Sequence, residues 1–222
     1  MPETGIGLFP DVGGAAWLPF VGGGWGEYLG LTGARLKGSD AKRLELATHY
    51  VPAWTEEKEK AFLARVEETG DVGGALDEQA APVDGSRTAL DDEVESYFHG
   101  KESVPAILEG LRAAAGGSEF AARTLEGMAG LSPSSMCATF EQISRGRELA
   151  GDVERVLEME FGMTQAMMRE PGGDFYEGIR AVLVDKDGKP SWKHGIEDIE
   201  SVSRDVGMYF VPPETGWTKN DA

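Results

Sequence analysis

Apolar side chains recur at helical spacing over most of this 222-residue chain, and few segments have the composition of strands. Ser132 followed by Pro133 is typical of a helix start, because serine caps helices and proline favours the first helical position. The segment 152–169 carries an apolar stripe with helical periodicity, made of Val153, Val156, Leu157, Phe161, Thr164, Met167 and Met168. The pattern predicts helices over residues 15–21, 25–31, 39–47, 55–68, 91–97, 104–115, 118–129, 152–169 and 175–184, and one that begins at 133.

Single residues mark the ends of several predicted elements. Gly33 follows the second predicted helix and is expected to end it, whereas Ser39 and Thr55 are placed to cap the next two helices. Residues 48–51 (THYV) are rich in β-branched and aromatic side chains and predict a short strand. Residues 69–88 are small and polar, and they predict a loop with room for one helical turn.

Charge and cysteine content exclude several classes of function. The net charge is −18, from 39 acidic against 21 basic residues, which disfavours nucleic-acid binding over most of the surface. Cys137 is the only cysteine, so no intrachain disulfide can form, and its place on an apolar helix side favours burial over nucleophilic chemistry. His49, His99 and His194 stand apart, without metal-ligand spacing. We expect neither a membrane span nor a targeting segment in this sequence.

The first residues contain a candidate catalytic motif. Residues 2–14 read PETGIGLFPDVGG, with Glu3 and Asp11 flanking an apolar segment that contains Ile6, Leu8 and Phe9. Apolar surroundings raise the pKa of a carboxyl group, which makes it a useful general base or acid. Spacing alone favours the plainer interpretation, a glycine-rich loop with two solvated acids.

The motif resembles the second signature block of the 3-hydroxyisobutyryl-CoA hydrolases, within the crotonase (enoyl-CoA hydratase/isomerase) superfamily. Related hydratases have PE-x-x-x-G-x-x-P-G-x-G-G at this place, so Glu3 matches both groups. Asp11 stands where hydratases usually have glycine, and aspartate there is typical of the hydrolases. Further blocks match in the order and spacing of the family, at 28–51, 131–135 and 159–187, where the last includes DFYEGIRAVLVDKD.

The resemblance implies an α/β fold in which a crotonase-like spiral of ββα units is followed by a mainly helical region. It implies that this chain holds only the C-terminal part of the spiral. We therefore divide it into residues 1–53, the end of the crotonase core; 54–130, a loosely matching helical segment; and 131–222, the helical region that covers the acyl-CoA site. From about residue 211 the chain is expected to be extended and weakly packed.

The resemblance also implies an activity, hydrolysis of the thioester of 3-hydroxyisobutyryl-CoA in valine breakdown, without a metal or a separate cofactor. Glu3 would activate water or attack the carbonyl itself, and Asp11 would orient the water or the substrate hydroxyl. Two backbone N–H groups would hold the thioester oxyanion, and in the family both lie upstream of this motif. Arg35 and Lys37 either meet the phosphates of CoA or are solvated surface charges.

Two departures from the family pattern leave other functions open. Phe20 and Gly162 stand where arginine is common in the family. The first hypothesis is a hydrolase whose N-terminal half comes from a longer chain or a companion chain. The second is a non-enzymatic protein of the mitochondrial small ribosomal subunit, held by ribosomal proteins, and a weaker third is an enoyl-CoA hydratase or isomerase. The compartment would be the mitochondrial matrix in a eukaryote and the cytoplasm in a bacterium.

Overall fold

Helices make up the regular structure of the computed structural model, which describes residues 1–169 and 172–212. Within this part the α-helices are α1 Gly14–Trp17, α2 Trp25–Thr32, α3 Gly38–Arg43, α4 Glu56–Thr69, α5 Val72–Asp77, α6 Ala89–Phe98, α7 Val104–Ala114, α8 Glu119–Ala129, α9 Pro133–Glu148, α10 Val153–Met168, α11 Asp174–Ile179 and α12 Ile199–Asp205. Short 3₁₀ helices span Glu3–Ile6, Leu18–Phe20, Ile196–Asp198 and Val206–Tyr209, and a π-helical turn, Arg180–Val184, continues α11. No helix in the described ranges is long and apolar enough to cross a membrane.

The chain forms two compact units. One comprises Met1–Ala34 and Ala89–Ala222, and the other is Arg35–Thr88, which contains α3, α4 and α5. In the second unit, the ring of Trp54 packs against that of Phe62, and His49 Nε2 lies 3.1 Å from Asp77 Oδ1. The division of the sequence at residues 53 and 130 stays a prediction, since it concerns matches to the family rather than compactness.

The main core of the larger unit lies between α7, α8, α9 and α12. Fully buried side chains such as Leu108, Leu111 and Met136 fill it, and Cys137 is buried among them. Each fully buried aliphatic side chain contributes about 1.5–3 kcal/mol to folding. Helix α9 also contacts α1, α2 and the 3₁₀ helix Glu3–Ile6, so it carries the first residues of the chain against the core.

The predicted helix starts at Thr55 and Ser132 are confirmed. Thr55 Oγ1 accepts the N–H of Lys58 at 3.3 Å, and Ser132 Oγ accepts that of Ser135 at 3.0 Å. The stop at Gly33 is confirmed as well: this residue adopts φ of 67°, where glycine carries no side-chain penalty.

Two local predictions are wrong, the strand over residues 48–51 and the bounds of the helix over 39–47. Residues 48–51 form no strand, because the described residues offer no neighbouring strand with which to pair. Lys37, not Ser39, occupies the N-cap position of α3 and makes no side-chain capping bond, and the helix ends at Arg43, since Glu45 turns the chain with a φ of 61°. More broadly, the described residues do not show the ββα spiral units that the family resemblance implies.

The buried face of α10 also differs from the predicted stripe. Val156, Glu160, Met163 and Met167 face inward, whereas Val153 and Met168 are exposed. The prediction placed no charged residue on that face. A buried glutamate takes one of the positions instead.

Candidate functional site

Glu3 opens the short 3₁₀ helix Glu3–Ile6, which Gly7 closes by donating its backbone N–H to the Glu3 carbonyl. The carboxylate is partly buried, and within the described part of the chain its Oε2 has no hydrogen-bond partner. Burial raises the pKa of Glu3 above its ordinary value, and the negative charge of Asp11 acts in the same direction. A half-buried carboxylate with an unoccupied oxygen and a raised pKa suits proton abstraction.

The turn that carries Glu3 is held by the first residues of α9. The Thr4 carbonyl accepts the backbone N–H of Ser132 at 3.1 Å, and Thr4 Oγ1 donates to the Leu31 carbonyl at 3.2 Å. Further along, Ser135 Oγ donates to the carbonyl of Leu8. Two backbone carbonyls and one side chain of the motif are therefore fixed by hydrogen bonds to residues from elsewhere in the fold.

Helix α11 packs in van der Waals contact with the turn that carries Glu3. Gly7 adopts φ of 71°, and a Cβ there would lie 2.3 Å from the carbonyl carbon of Asp174. On the facing helix, a Cβ at Gly178 would lie 2.2 Å from the Ile6 carbonyl oxygen. Real atoms do not approach so closely, so both positions require glycine for this packing.

Asp174 links the start of α9 to the segment that follows α11. Its buried carboxylate accepts Ser132 Oγ at 2.5 Å and the backbone N–H of Lys193 at 2.8 Å. The blocks at 131–135 and 159–187, which the sequence separates widely from residues 2–14, thus meet at the turn that contains Glu3. Sequence reasoning identified these blocks but gave no sign that they touch.

Asp11 lies on a tight turn directly after the buried Phe9 and Pro10. Phe9 packs into a small core with Ala138, Met163 and Met167, so it lies beneath the loop. The Asp11 carbonyl accepts the N–H of Gly14 at 3.1 Å, and the two residues between them both have positive φ. Asp11 itself is partly exposed, and its charge raises the pKa of Glu3.

Glu160 and Gln142 hold this turn from below, and sequence reasoning missed both. The Glu160 carboxylate accepts the N–H groups of Gly13 at 2.7 Å and Ala15 at 3.1 Å. Gln142 Nε2 donates to the Pro10 carbonyl at 2.7 Å and to Glu160 Oε1 at 2.9 Å. Burial raises the pKa of Glu160, and these N–H donors lower it in part. The sequence offered one sign of Glu160: it is an acidic residue at helical spacing from the apolar residues 156, 163 and 167.

The structure also describes the other residues that the sequence analysis singled out. Arg35 and Lys37 are exposed and belong to the unit Arg35–Thr88, where Lys37 directly precedes α3. Phe20 is half-exposed, and Gly162 is buried within α10. Cys137 is buried, as predicted, and burial raises the pKa of its thiol to about 12. In the part of the chain that the structure describes, no group of three acidic, histidine or cysteine side chains could hold a metal ion.

Comparison with known proteins identifies the family. The model of the enoyl-CoA hydratase/isomerase family matches residues 1–210. The mitochondrial 3-hydroxyisobutyryl-CoA hydrolase of Xenopus laevis is 39% identical over 92% of this chain and 53% of its own length. The corresponding proteins of Danio rerio and Homo sapiens are 41% and 38% identical over 87% and 95% of this chain, and 51% and 54% of their own. The chain thus spans about half the length of the curated relatives it matches.

Solved structures agree with this assignment. A carnitinyl-CoA dehydratase from Mycobacterium thermoresistibile superposes with a TM-score of 0.76 at 30% identity, covering 98% of this chain and 60% of the other. An enoyl-CoA hydratase from Rhodobacter sphaeroides 2.4.1 gives a TM-score of 0.73 at 33% identity, covering 96% and 58%. The turn with Glu3 and Asp11, the two supporting blocks and these matches together establish that the chain belongs to the enoyl-CoA hydratase/isomerase family, where it resembles the C-terminal half of the hydrolases.

Proposed function

We propose that this chain supplies the carboxylates of a thioester hydrolase that acts on 3-hydroxyisobutyryl-CoA in valine breakdown. The observation that carries the proposal is the environment of Glu3, whose partly buried carboxylate has a free oxygen and a raised pKa beside Asp11. The names of the relatives add the acyl group and the reaction. Glu3 takes a proton from water as the water attacks the thioester carbonyl, or attacks that carbonyl itself and forms an anhydride that water then cleaves.

Asp11 has the second role in this proposal. Its carboxylate orients the attacking water or accepts a hydrogen bond from the substrate hydroxyl. The solved neighbours named as hydratase and dehydratase share the fold, but the aspartate in place of the hydratase glycine favours hydrolysis. The reaction releases free CoA and 3-hydroxyisobutyrate.

In this proposal an N-terminal half supplies the remaining parts of the site. By the family resemblance, the two N–H donors for the oxyanion and the rest of the ββα spiral come from an N-terminal half, on the same polypeptide or a companion chain. Loss of one such donor typically costs about 10²–10³ in rate, so the N-terminal half is required for turnover. Arg35 and Lys37 bind CoA phosphates in this proposal, and the mitochondrial names of the relatives favour the mitochondrial matrix in a eukaryote.

The test begins with protein purified from its native source, so that any N-terminal half is retained. Mass spectrometry identifies the co-purifying chains, and CoA release from 3-hydroxyisobutyryl-CoA is measured for the wild type and for a Glu3→Gln allele. We expect kcat to fall by about 10²-fold or more in Glu3→Gln, because a general base contributes at least this much. An exposed glutamate of α10 provides the matched control, Glu158→Gln, which keeps its activity.

The pH profile gives a second readout. Since Glu3 acts as the anion and burial raises its pKa, kcat/KM rises with pH through a midpoint above the ordinary 4.5 of a glutamate. Hydration of crotonyl-CoA without thioester cleavage would point instead to the hydratase function. Co-purifying ribosomal proteins with no thioester cleavage would replace this proposal with the ribosomal role, which the relatives described above do not support.

A further inference from the structure

Two buried side chains grip the turn of Asp11 on both sides of that residue. Before it, the Pro10 carbonyl accepts Gln142 Nε2 at 2.7 Å; after it, the Gly13 N–H donates to Glu160 Oε2 at 2.7 Å. The two side chains come from different helices, α9 and α10, and are joined by the 2.9 Å bond from Gln142 Nε2 to Glu160 Oε1. Asp11 therefore lies between two fixed points of one connected hydrogen-bond network.

The chemistry of this network matches a carboxylate at position 160. Three N–H donors converge on its two oxygens, from Gly13, Ala15 and Gln142. A glutamine there would direct its own NH₂ group at one of these donors. The orientation of Gln142 is equally fixed, because a flipped amide would place its oxygen against the Pro10 carbonyl and the Glu160 carboxylate. Both side chains are almost fully buried, so no water replaces a lost bond cheaply.

The turn needs such support because its backbone is strained. Val12 has φ of 55°, a region that β-branched residues rarely adopt, and its side chain is 87% exposed. Packing of the valine itself therefore cannot hold the conformation. Residues in such regions persist where the surroundings fix them, and they concentrate at functional sites.

We propose that Glu160 is a positioning residue for Asp11, with Gln142 as its partner. By binding the amides that follow Asp11 and tying them to the carbonyl that precedes it, the pair sets the direction in which the Asp11 carboxylate leaves the turn. Glu160 does not touch the substrate in this scheme. The inference rests on the proposed function, since it assigns Asp11 a task that requires a fixed direction.

The distinguishing experiment is a double-mutant cycle in the protein purified with whatever chains accompany it. kcat and KM are measured with 3-hydroxyisobutyryl-CoA for Asp11→Asn, Glu160→Gln and the double variant, with Glu158→Gln as the control on the exposed side of the same helix. A displacement of about 1 Å in a catalytic group can cost about 10²-fold in rate. We expect Glu160→Gln to lower kcat by about this factor with little change in KM, and to add almost nothing in the Asp11→Asn background. Equal losses in both backgrounds, or no loss, would overturn the inference, because a purely structural glutamate acts independently of Asp11.

A substrate-free measurement separates this inference from the proposed function. Amide hydrogen exchange at Gly13 and Ala15 should accelerate in Glu160→Gln and in Gln142→Met, which replaces the amide by an apolar group of similar size, but stay unchanged in Glu158→Gln. Unchanged exchange in Glu160→Gln shows that the network does not hold the turn and overturns the inference. If the wild type cleaves no thioester, the proposed function fails and the exchange result alone decides whether Glu160 fixes the turn.

Discussion

Ser132 offers the sharpest test of how the candidate site is held together. Its fully buried hydroxyl accepts the N–H of Ser135, which caps α9, and donates to the Asp174 carboxylate at 2.5 Å. The substitution Ser132→Ala removes both bonds at once. It leaves the helix start without its cap and one oxygen of a buried carboxylate without its donor.

The magnitude follows from these two losses. Loss of a serine N-cap costs about 1 kcal/mol. Loss of a hydrogen bond to a charged group costs about 1.5–3 kcal/mol, and Asp174 keeps its second partner, the N–H of Lys193. We therefore expect Ser132→Ala to lower the free energy of unfolding by about 3 kcal/mol, the sum of the two effects near the lower part of their range.

The assay is urea unfolding at neutral pH, with Ser103→Ala as the matched control. Ser103 caps α7 by accepting the Ala106 N–H at 3.3 Å, so its loss should cost about 1 kcal/mol. The difference between the two variants isolates the bond to Asp174. If Ser132→Ala is no more destabilising than Ser103→Ala, the hydrogen bond between Ser132 and Asp174 contributes nothing to the free energy of unfolding, and the prediction is wrong.

Three further results are expected. In urea unfolding, Gly7→Ala should lower the free energy of unfolding by about 2–4 kcal/mol, because alanine is strained at this left-handed φ and its Cβ clashes with the Asp174 backbone. Gly100 also has a positive φ but open space around it, so Gly100→Ala should lower the free energy of unfolding by only about 1 kcal/mol. Because burial raises the pKa of Glu160, the folded state binds more protons above pH 4.5 than the unfolded state does. The stability that protonated Glu160 contributes is complete below pH 4.5 and is lost as the pH rises through the raised pKa. The free energy of unfolding of the wild type should therefore fall relative to that of Glu160→Gln as the pH rises from 4.5 through the raised pKa. A difference between the two proteins that does not change with pH would contradict this. Iodoacetamide should label Cys137 far more slowly in folded protein than in urea, since a pKa raised from 9.0 to about 12 lowers the thiolate fraction about 10³-fold; equal rates would show the thiol to be accessible.

Helix boundaries illustrate what the sequence could predict. The starts at Thr55 and Ser132 and the stop at Gly33 agree with the structure, because caps and left-handed glycines act within one helical turn. The strand at 48–51 failed because strand formation depends on a partner strand, which no local pattern supplies. The end of α3 failed because Glu45 takes a left-handed conformation that glutamate seldom favours.

The sequence predicted some residues of the candidate site and missed others. Glu3 and Asp11 were found because they lie in one contiguous motif whose resemblance to a family could be recognised. The carboxylate that supports the motif, Glu160, lies 147 and 145 residues from the two backbone amides that it binds, those of Gly13 and Ala15. Periodicity located its helix and placed Val156 and Met167 on the buried face, but it left out Glu160, since an acidic residue is not expected inside a core.

The sequence by itself therefore indicated most of the longer helices, the family and the two carboxylates of the motif, since each depends on residues close together in the chain. Only the tertiary structure decided that α9, α10 and α11 converge on that motif, that Gly7 and Gly178 permit the close approach, and that Glu160 fixes the turn of Asp11. The physical reason is the sequence distance over which each feature is determined. Caps and tight turns depend on neighbouring residues, whereas the hydrogen bonds that hold the turn of Asp11 join segments that meet only after folding.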